Sequence, residues 1–346
     1  MDVRLSSEQV ALRDSAVQIV ERLGVGAVAE LGDQERVGKL DAAVESAGWR
    51  ELRTAVDGGA PWGSAVEVAI IAEELGRGLA DVAFLGPTMA AELRRLSGAP
   101  PAKRPETVAL TVDLAGPACA KAGPVEVNAV AVDTRSGNSA LVLMDDPVGY
   151  ALGEVAVSPM ARHVDLTRPS GRCTLTGVTR VPGQATTLGP AEIERWQSLG
   201  LATTCADLVG TMRGALALAC DYARARQQYG VAIGSFQAVQ HLLADALVAT
   251  EGSRSITLHA AWAVDALPST EALAAAAAAK AYCARAARSV CETAIQVHGG
   301  IGNTQDCLAH VFLRRALLST DVLGGVGANL DRVLAARGVE VDRGLR

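Results

Sequence analysis

The chain has 346 residues, enough for two or three structural units around a large buried core. Hydrophobic residues make up 49% and charged residues 20%, which excludes disorder as the dominant character. Aromatics at 3% argue against a lectin-like or single-strand nucleic-acid platform, and a net charge of −6 with dispersed Lys and Arg leaves no nucleic-acid footprint.

Residues 6–98 read as helices. Ser6-Ser7-Glu8-Gln9 opens the first, with Val10, Leu12, Val17, Ile19 and Val20 on its apolar face. A second amphipathic stretch runs from Gly38 to about Ala47, and a third from Ser64 to Leu79, ended by Gly76 and Gly78. Pro87 to Leu96 gives one more short helix, and three prolines within 98–105 set a boundary. From Thr107 the pattern changes to short β-like runs: Val108 to Val112, Val125 to Val132, Ala140 to Met144, Val155 to Val157 and Cys173 to Thr176. Gly, Pro, Asp and Asn separate them, which predicts a small antiparallel barrel or sandwich ending near Pro182-Gly183. Beyond Pro190 the helices are long: Ile193 to Gln228, Phe236 to about Leu267, Ser269 to His298, and a fourth after Thr304 that Gly324-Gly325 breaks or ends. Long helices joined by short turns predict an antiparallel four-helix bundle.

The seven cysteines show no CxxC and no His at metal-ligand spacing, so they read as buried free thiols of a reducing compartment. The five histidines lack i, i+4 pairing, no GxSxG occurs, and no metal site is expected. The start of the chain, Met1 to Ser6, opens straight into the amphipathic pattern without a signal-like apolar run. No apolar run approaches the roughly 18 residues of a membrane span, so a cytoplasmic location is expected.

Four glycine-rich stretches need sorting. Gly24-Val25-Gly26-Ala27-Val28-Ala29 has the letters of a dinucleotide fingerprint but follows a helix where a strand is required. Gly230 to Gly234 is a turn between long helices. His298-Gly299-Gly300-Ile301-Gly302 and Gly324-Gly325-Val326-Gly327 read locally as helix C-caps; the first also offers bare backbone beside Gln296, which would let a flat or anionic ligand approach. At the end of the preceding helix, Arg226 reads equally as a complement to the helix dipole or as a forked phosphate contact. Gln237 gains meaning only if it faces the same ligand.

Arg226-Gln227-Gln228-Tyr229-Gly230, followed by Phe236-Gln237 and His241, resembles the R-x-x-F-G…F-Q-x-x-x-H pattern of acyl-CoA dehydrogenases. Gln296 to Gly302 is similar to that family's Q-x-x-G-G-x-G pattern. Asp165-Leu166-Thr167-Arg168-Pro169 also resembles a segment common in bacterial members. The resemblance implies a mainly α, α+β fold: an N-terminal helical domain (1–105), a shortened middle β-domain (106–184) and a C-terminal four-helix-bundle domain (185–346). It implies FAD lying across a subunit interface. Carried over by position, Arg226 and Gln228 would contact the pyrophosphate region, Tyr229 would pack near the cofactor, and Gln237 would hydrogen-bond it. Gln296, Gly299 and Gly300 would line its far end.

The family removes an α-proton with a carboxylate base and passes a β-hydride to FAD. Aligned on Arg314-Arg315, the usual base position is Leu323, before Gly324; the alternative position, on the helix before Arg226, is Gly200-Leu201. Glu192 and Glu194 lie about two turns too early and Asp321 is two residues off, so no catalytic residue is assigned. The family's flavin-shielding T-E-x-x-x-G-S-D and W-x-T/S stretches have no counterpart between Thr107 and Pro182. The resemblance therefore implies the base-less subunit of an α2β2 enzyme, beside a larger homologous chain, acting on a bulky acyl-CoA such as a steroid side chain. A self-sufficient homotetramer, with Asp321 or Glu194 as base, is the alternative; a non-catalytic acyl-CoA- or protein-binding member of the fold is the third reading.

Overall fold

The computed structural model describes residues 4–56, 59–121, 127–135 and 139–339. Helices α1 (Ser7–Leu23), α2 (Gln34–Ser46), α3 (Ala65–Arg77) and α4 (Leu85–Ser97) form the N-terminal layer. Ser6 opens α1 with a capping box closed by Gln9, and Ser64 opens α3 in the same way with Glu67. The expected boundaries were therefore legible to within a few residues.

The β region departs from the antiparallel expectation. Strands β1 (Thr107–Leu110), β2 (Cys119–Ala120), β3 (Asn128–Ala131), β4 (Ser139–Asp146), β5 (Gly149–Ala156), β6 (Ser158–Pro159), β7 (Gly171–Thr174) and β8 (Thr179–Arg180) form one sheet in the order β6-β7-β3-β1-β4-β5-β8. β1 and β2 both pair with β4 in parallel, so the sheet is mixed. The first two residues of the expected Val125 to Val132 run lie outside the described residues. Side chains alternate across the sheet: Val108, Leu110, Leu141 and Leu143 join the helical core, while Ala109, Ala140 and Val142 pack in a second cluster with Cys173 and Leu175.

The C-terminal bundle is built from α5 (Pro190–Ala225), α6 (Gln237–Ala266) and α7 (Ser269–His298); the fourth position is shared by α8 (Ala309–Asp321) and α9 (Val326–Ala336). α5 ends at Ala225 rather than Gln228, because a short hairpin, β9 (Gln227–Gln228) with β10 (Val231–Ala232), takes over the chain. α6 and α7 have 30 residues each, about 45 Å at 1.5 Å per residue. Equal lengths running down and back return the end of α7 to the level where α5 stopped. That arithmetic places the two motif segments at one end of the bundle.

A charged cluster clasps the three layers together. Asp207 on α5 accepts from Arg315 of α8 at 2.6 and 2.9 Å, lies 3.2 Å from Arg168 of the sheet region, and accepts from Ser319 at 2.7 Å. Arg168 also pairs with Asp165 at 2.8 Å, and Arg315 donates to the Ala80 carbonyl of the N-terminal layer. Burial opposes ionisation of Asp165, yet Arg168 and Arg315 with the Thr167 donors hold its carboxyl below the usual range. Asp133, wholly buried beside the same arginines, is pushed up by desolvation. The Asp165–Arg168 segment singled out in the sequence is thus a structural junction.

Candidate functional site

α5 ends where Arg226 leaves helical geometry, its N–H still donating to the Tyr222 carbonyl at 2.8 Å. The chain then turns through Tyr229 (φ +53°) and Gly230 (φ +80°), a two-residue loop with both central residues left-handed. The Ile233 N–H returns to the Arg226 carbonyl at 2.8 Å, fixing the backbone of that residue from both sides. The Arg226 side chain is exposed and makes no hydrogen bond or ion pair among the described residues, whereas neighbouring Arg224 pairs with Asp221. Tyr229 is 95% exposed and meets Phe236 edge-on at 6.3 Å. Gln228 and Gln237 are exposed on the same hairpin and on the first turn of α6.

The second segment caps α7. Gly299 adopts φ +63° and ψ −142°, and a Cβ on Gly299 or Gly300 would meet nothing within 4 Å. Gln296, Gly299 and Gly300 are exposed. The two segments are joined by an aromatic contact: the Tyr222 ring of α5 stacks on His298 of α7, centroids 4.4 Å apart at 26°. The structure therefore brings Arg226, Gln228, Tyr229, Gln237, Gln296, Gly299 and Gly300 to one solvent-facing end of the bundle. Neither 226–237 nor 296–303 contains an Asp or Glu. The C-termini of α5 and α7 present carbonyls, which repel an anion; the Arg226 guanidinium and the N-terminus of α6 oppose that repulsion. The donor set fits a bound dianion with a flat neighbour.

The two positions aligned with a catalytic base lie elsewhere, in the interior, and touch each other. Leu323 is fully buried at φ +60°, in the turn between α8 and α9. A Cβ added to Gly200 on α5 would lie 2.4 Å from Leu323 Cδ1 and 2.8 Å from Met89 Cε of α4. Leu323 N–H donates to the Leu114 carbonyl at 2.8 Å, tying this turn to the β1–β2 loop. The space beside Gly200 is occupied by the buried side chains of Leu323 and Met89. Glu192 instead caps α5 through the Gly189 N–H, and Glu194 accepts from Ser269 at the opposite end of that helix from Arg226. Asp321 is exposed at the end of α8.

Sequence reasoning assigned no role to Lys280, which anchors the same turn. Its Nζ is wholly buried and donates to the carbonyls of Val322 (2.5 Å) and Gly324 (3.4 Å), while Arg332 donates to that of Leu323. Burial pulls the Lys280 amine down to about 8. A lysine inside the otherwise Ala-rich run of α7 was the available signal.

Residues 199–337 match the family described as acyl-CoA dehydrogenase, C-terminal domain. Acyl-CoA dehydrogenase IpdE2 of Mycobacterium tuberculosis is 30% identical over 281 residues, covering 77% of this chain and 76% of that relative. The chain belongs to the acyl-CoA dehydrogenase family. Acyl-CoA dehydrogenase FadE34 of the same organism is 37% identical over 198 residues, but that match covers 57% of this chain and 27% of FadE34's length. Among solved structures, the Tcur3481-Tcur3483 steroid ACAD (G363A variant) superposes with a TM-score of 0.80 at 24% identity, covering 96% and 98% of the two chains. The ChsE4-ChsE5 complex from M. tuberculosis gives 0.77 at 22%, covering 99% and 100%. These two show the fold: N-terminal helices, a middle sheet and a C-terminal bundle. Among the described residues, no helix is long and apolar enough to cross a membrane.

Proposed function

We propose that this chain is a subunit of a heteromeric, FAD-dependent acyl-CoA dehydrogenase, lending its bundle end to a flavin whose ring lies on a homologous partner chain. FAD, when bound, accepts the β-hydride of the acyl thioester as the trans-enoyl product forms. On this chain Arg226 supplies the forked donor for the pyrophosphate. Gln228 and Gln237 add carboxamide donors, Tyr229 packs on the cofactor, and Gln296 with the open backbone of Gly299-Gly300 lines its far end. The carboxylate that takes the α-proton comes from the partner chain.

The observation that carries this reading is Leu323 seated against Gly200. Both places where a base is expected are apolar, buried and in mutual contact, so neither offers a carboxylate to an acyl thioester. The exposed apolar side chains Tyr229, Val231, Phe236, Leu242, Leu247 and Val248, clustered along the hairpin and the first half of α6, support burial of this end against another chain. Two structural neighbours carry paired names, one of them described as a steroid ACAD; this supports an α2β2 assembly and a bulky, steroid-derived acyl-CoA as substrate.

The test is expression alone and with the partner. Alone, the chain should hold little FAD and show no dehydrogenation; with its partner both should appear, and Arg226→Ala should weaken flavin binding in the complex. A yellow, active homotetramer from this chain alone overturns the proposal; loss of its turnover in Asp321→Asn, with FAD retained, would then locate the base on this chain.

A further inference from the structure

We infer that the Tyr222–His298 stack positions the two nucleotide-binding turns relative to each other, so that His298 and Tyr222 control FAD affinity without touching the cofactor. This rests on the reading that one FAD is gripped by both Arg226 and Gln296. The stack is a direct side-chain contact between the ends of α5 and α7, with ring centroids 4.4 Å apart at 26°. Each ring is the neighbour of a turn. Tyr222 lies one helical turn before Arg226, and its carbonyl accepts the Arg226 N–H. His298 directly precedes Gly299 and lies two residues after Gln296.

The His298 ring is itself fixed. Its Nδ1 lies 2.7 Å from the Ala294 carbonyl, and since a carbonyl oxygen accepts, Nδ1 carries the hydrogen. The ring is buried despite its place at the helix end. Both turns then fold back onto the helix ends that carry the stack. Gly234 closes on Ala223, whose carbonyl would lie 3.0 Å from an added Cβ, and Gly302 closes on Ile295 and His298, at 2.9 and 3.1 Å. Displacing either ring therefore shifts one complete turn against the other. An extended cofactor held at two points is sensitive to their spacing.

What the stack supplies is a flat face, so another aromatic ring should replace His298 and a small side chain should not. Complexes with the partner chain are stripped of flavin and titrated with FAD, following flavin fluorescence, and the melting temperature of each stripped complex is recorded. His298→Ala and Tyr222→Leu should each weaken FAD binding by about ten- to a hundredfold, the scale of residues that orient a ligand through a neighbour. Their combination should be no worse than either alone, because one contact is lost in all three. His298→Phe and Tyr222→Phe should bind FAD as the native complex does. Should His298→Ala fail to assemble, Tyr222→Leu against Tyr222→Phe gives the same comparison. A lower melting temperature with unchanged FAD affinity, or no rescue by Phe, overturns the positioning role. Arg226→Ala, titrated alongside, separates the two levels. If it weakens FAD binding while His298→Ala and Tyr222→Leu do not, only the stack's role falls; if it too has no effect, the shared-flavin reading falls with it.

Discussion

Replacing Gly200 by Ala should have opposite effects on stability depending on what occupies position 323. In the native chain the new Cβ would sit 2.4 Å from Leu323 Cδ1 and 2.8 Å from Met89 Cε, both deeply buried. Overpacking of this kind costs roughly 1–3 kcal/mol. The gain in helix propensity returns about 1 kcal/mol, since Gly200 lies well inside α5. The net effect is a loss of about 0–2 kcal/mol. Leu323→Ala alone should cost about 2–5 kcal/mol through the cavity it leaves. In that background Gly200→Ala meets no Leu323 methyl, and the remaining overlap with Met89 Cε is relieved as that flexible side chain moves into the vacated space. The substitution recovers the propensity gain and fills part of the void with one methyl group at about 0.8 kcal/mol. It should then stabilise by about 1–2 kcal/mol. For a chain of this length 1 kcal/mol corresponds to about 1.4 °C in melting temperature, so the change of sign is measurable by scanning calorimetry on the four variants. Equal shifts from Gly200→Ala in both backgrounds would refute the contact, and with it the closed interior on which the base-less reading stands.

Other outcomes follow from the charged interior. Lys280 has a folded-state value near 8 against about 10.4 unfolded, so the unfolded chain binds the extra proton between those values and stability rises with pH across that window. Below pH 8 the full penalty, about 3 kcal/mol, is present, and Lys280→Met should flatten the rise between pH 8 and 10 when the two melting curves are subtracted. An unchanged difference across that range would contradict a buried, depressed amine. Asp207→Ala takes the carboxylate contact from Arg315 and leaves Arg168 with Asp165, and should cost about 3–5 kcal/mol, read as a fall of several degrees in melting temperature; a shift under 1 °C would rule out the clasp. Tyr229→Asn suits the left-handed backbone better, so the isolated chain should melt no lower, while FAD retention in the complex should fall. Retained flavin would remove Tyr229 from the cofactor contacts.

The helices were the legible part of the fold because local rules set their ends. Ser6 and Ser64 with their capping partners, and the glycines at 78 and 299, mark boundaries that tertiary packing did not move. The sheet was less legible: parallel pairing of β1 and β2 with β4 depends on chain segments far apart, and short strands such as Cys119–Ala120 and Thr179–Arg180 carry no periodicity of their own. At the site, motif letters pointed to Arg226 and Gln296, while helix lengths explain why they share one end. The Tyr222–His298 stack and the Lys280 anchor depend on which faces of α5, α7 and the α8–α9 turn meet, and a single sequence does not encode that in any local pattern. The Asp165–Arg168 segment shows the converse: a recognisable stretch whose work is to hold layers together.

Flavin stoichiometry of the purified assembly, by native mass spectrometry with chain counting, tests the central claim most directly. Two kinds of chain in equal number, with one FAD for each pair and none retained by this chain alone, is the expected result. One FAD for every copy of this chain in a homo-oligomer would contradict it.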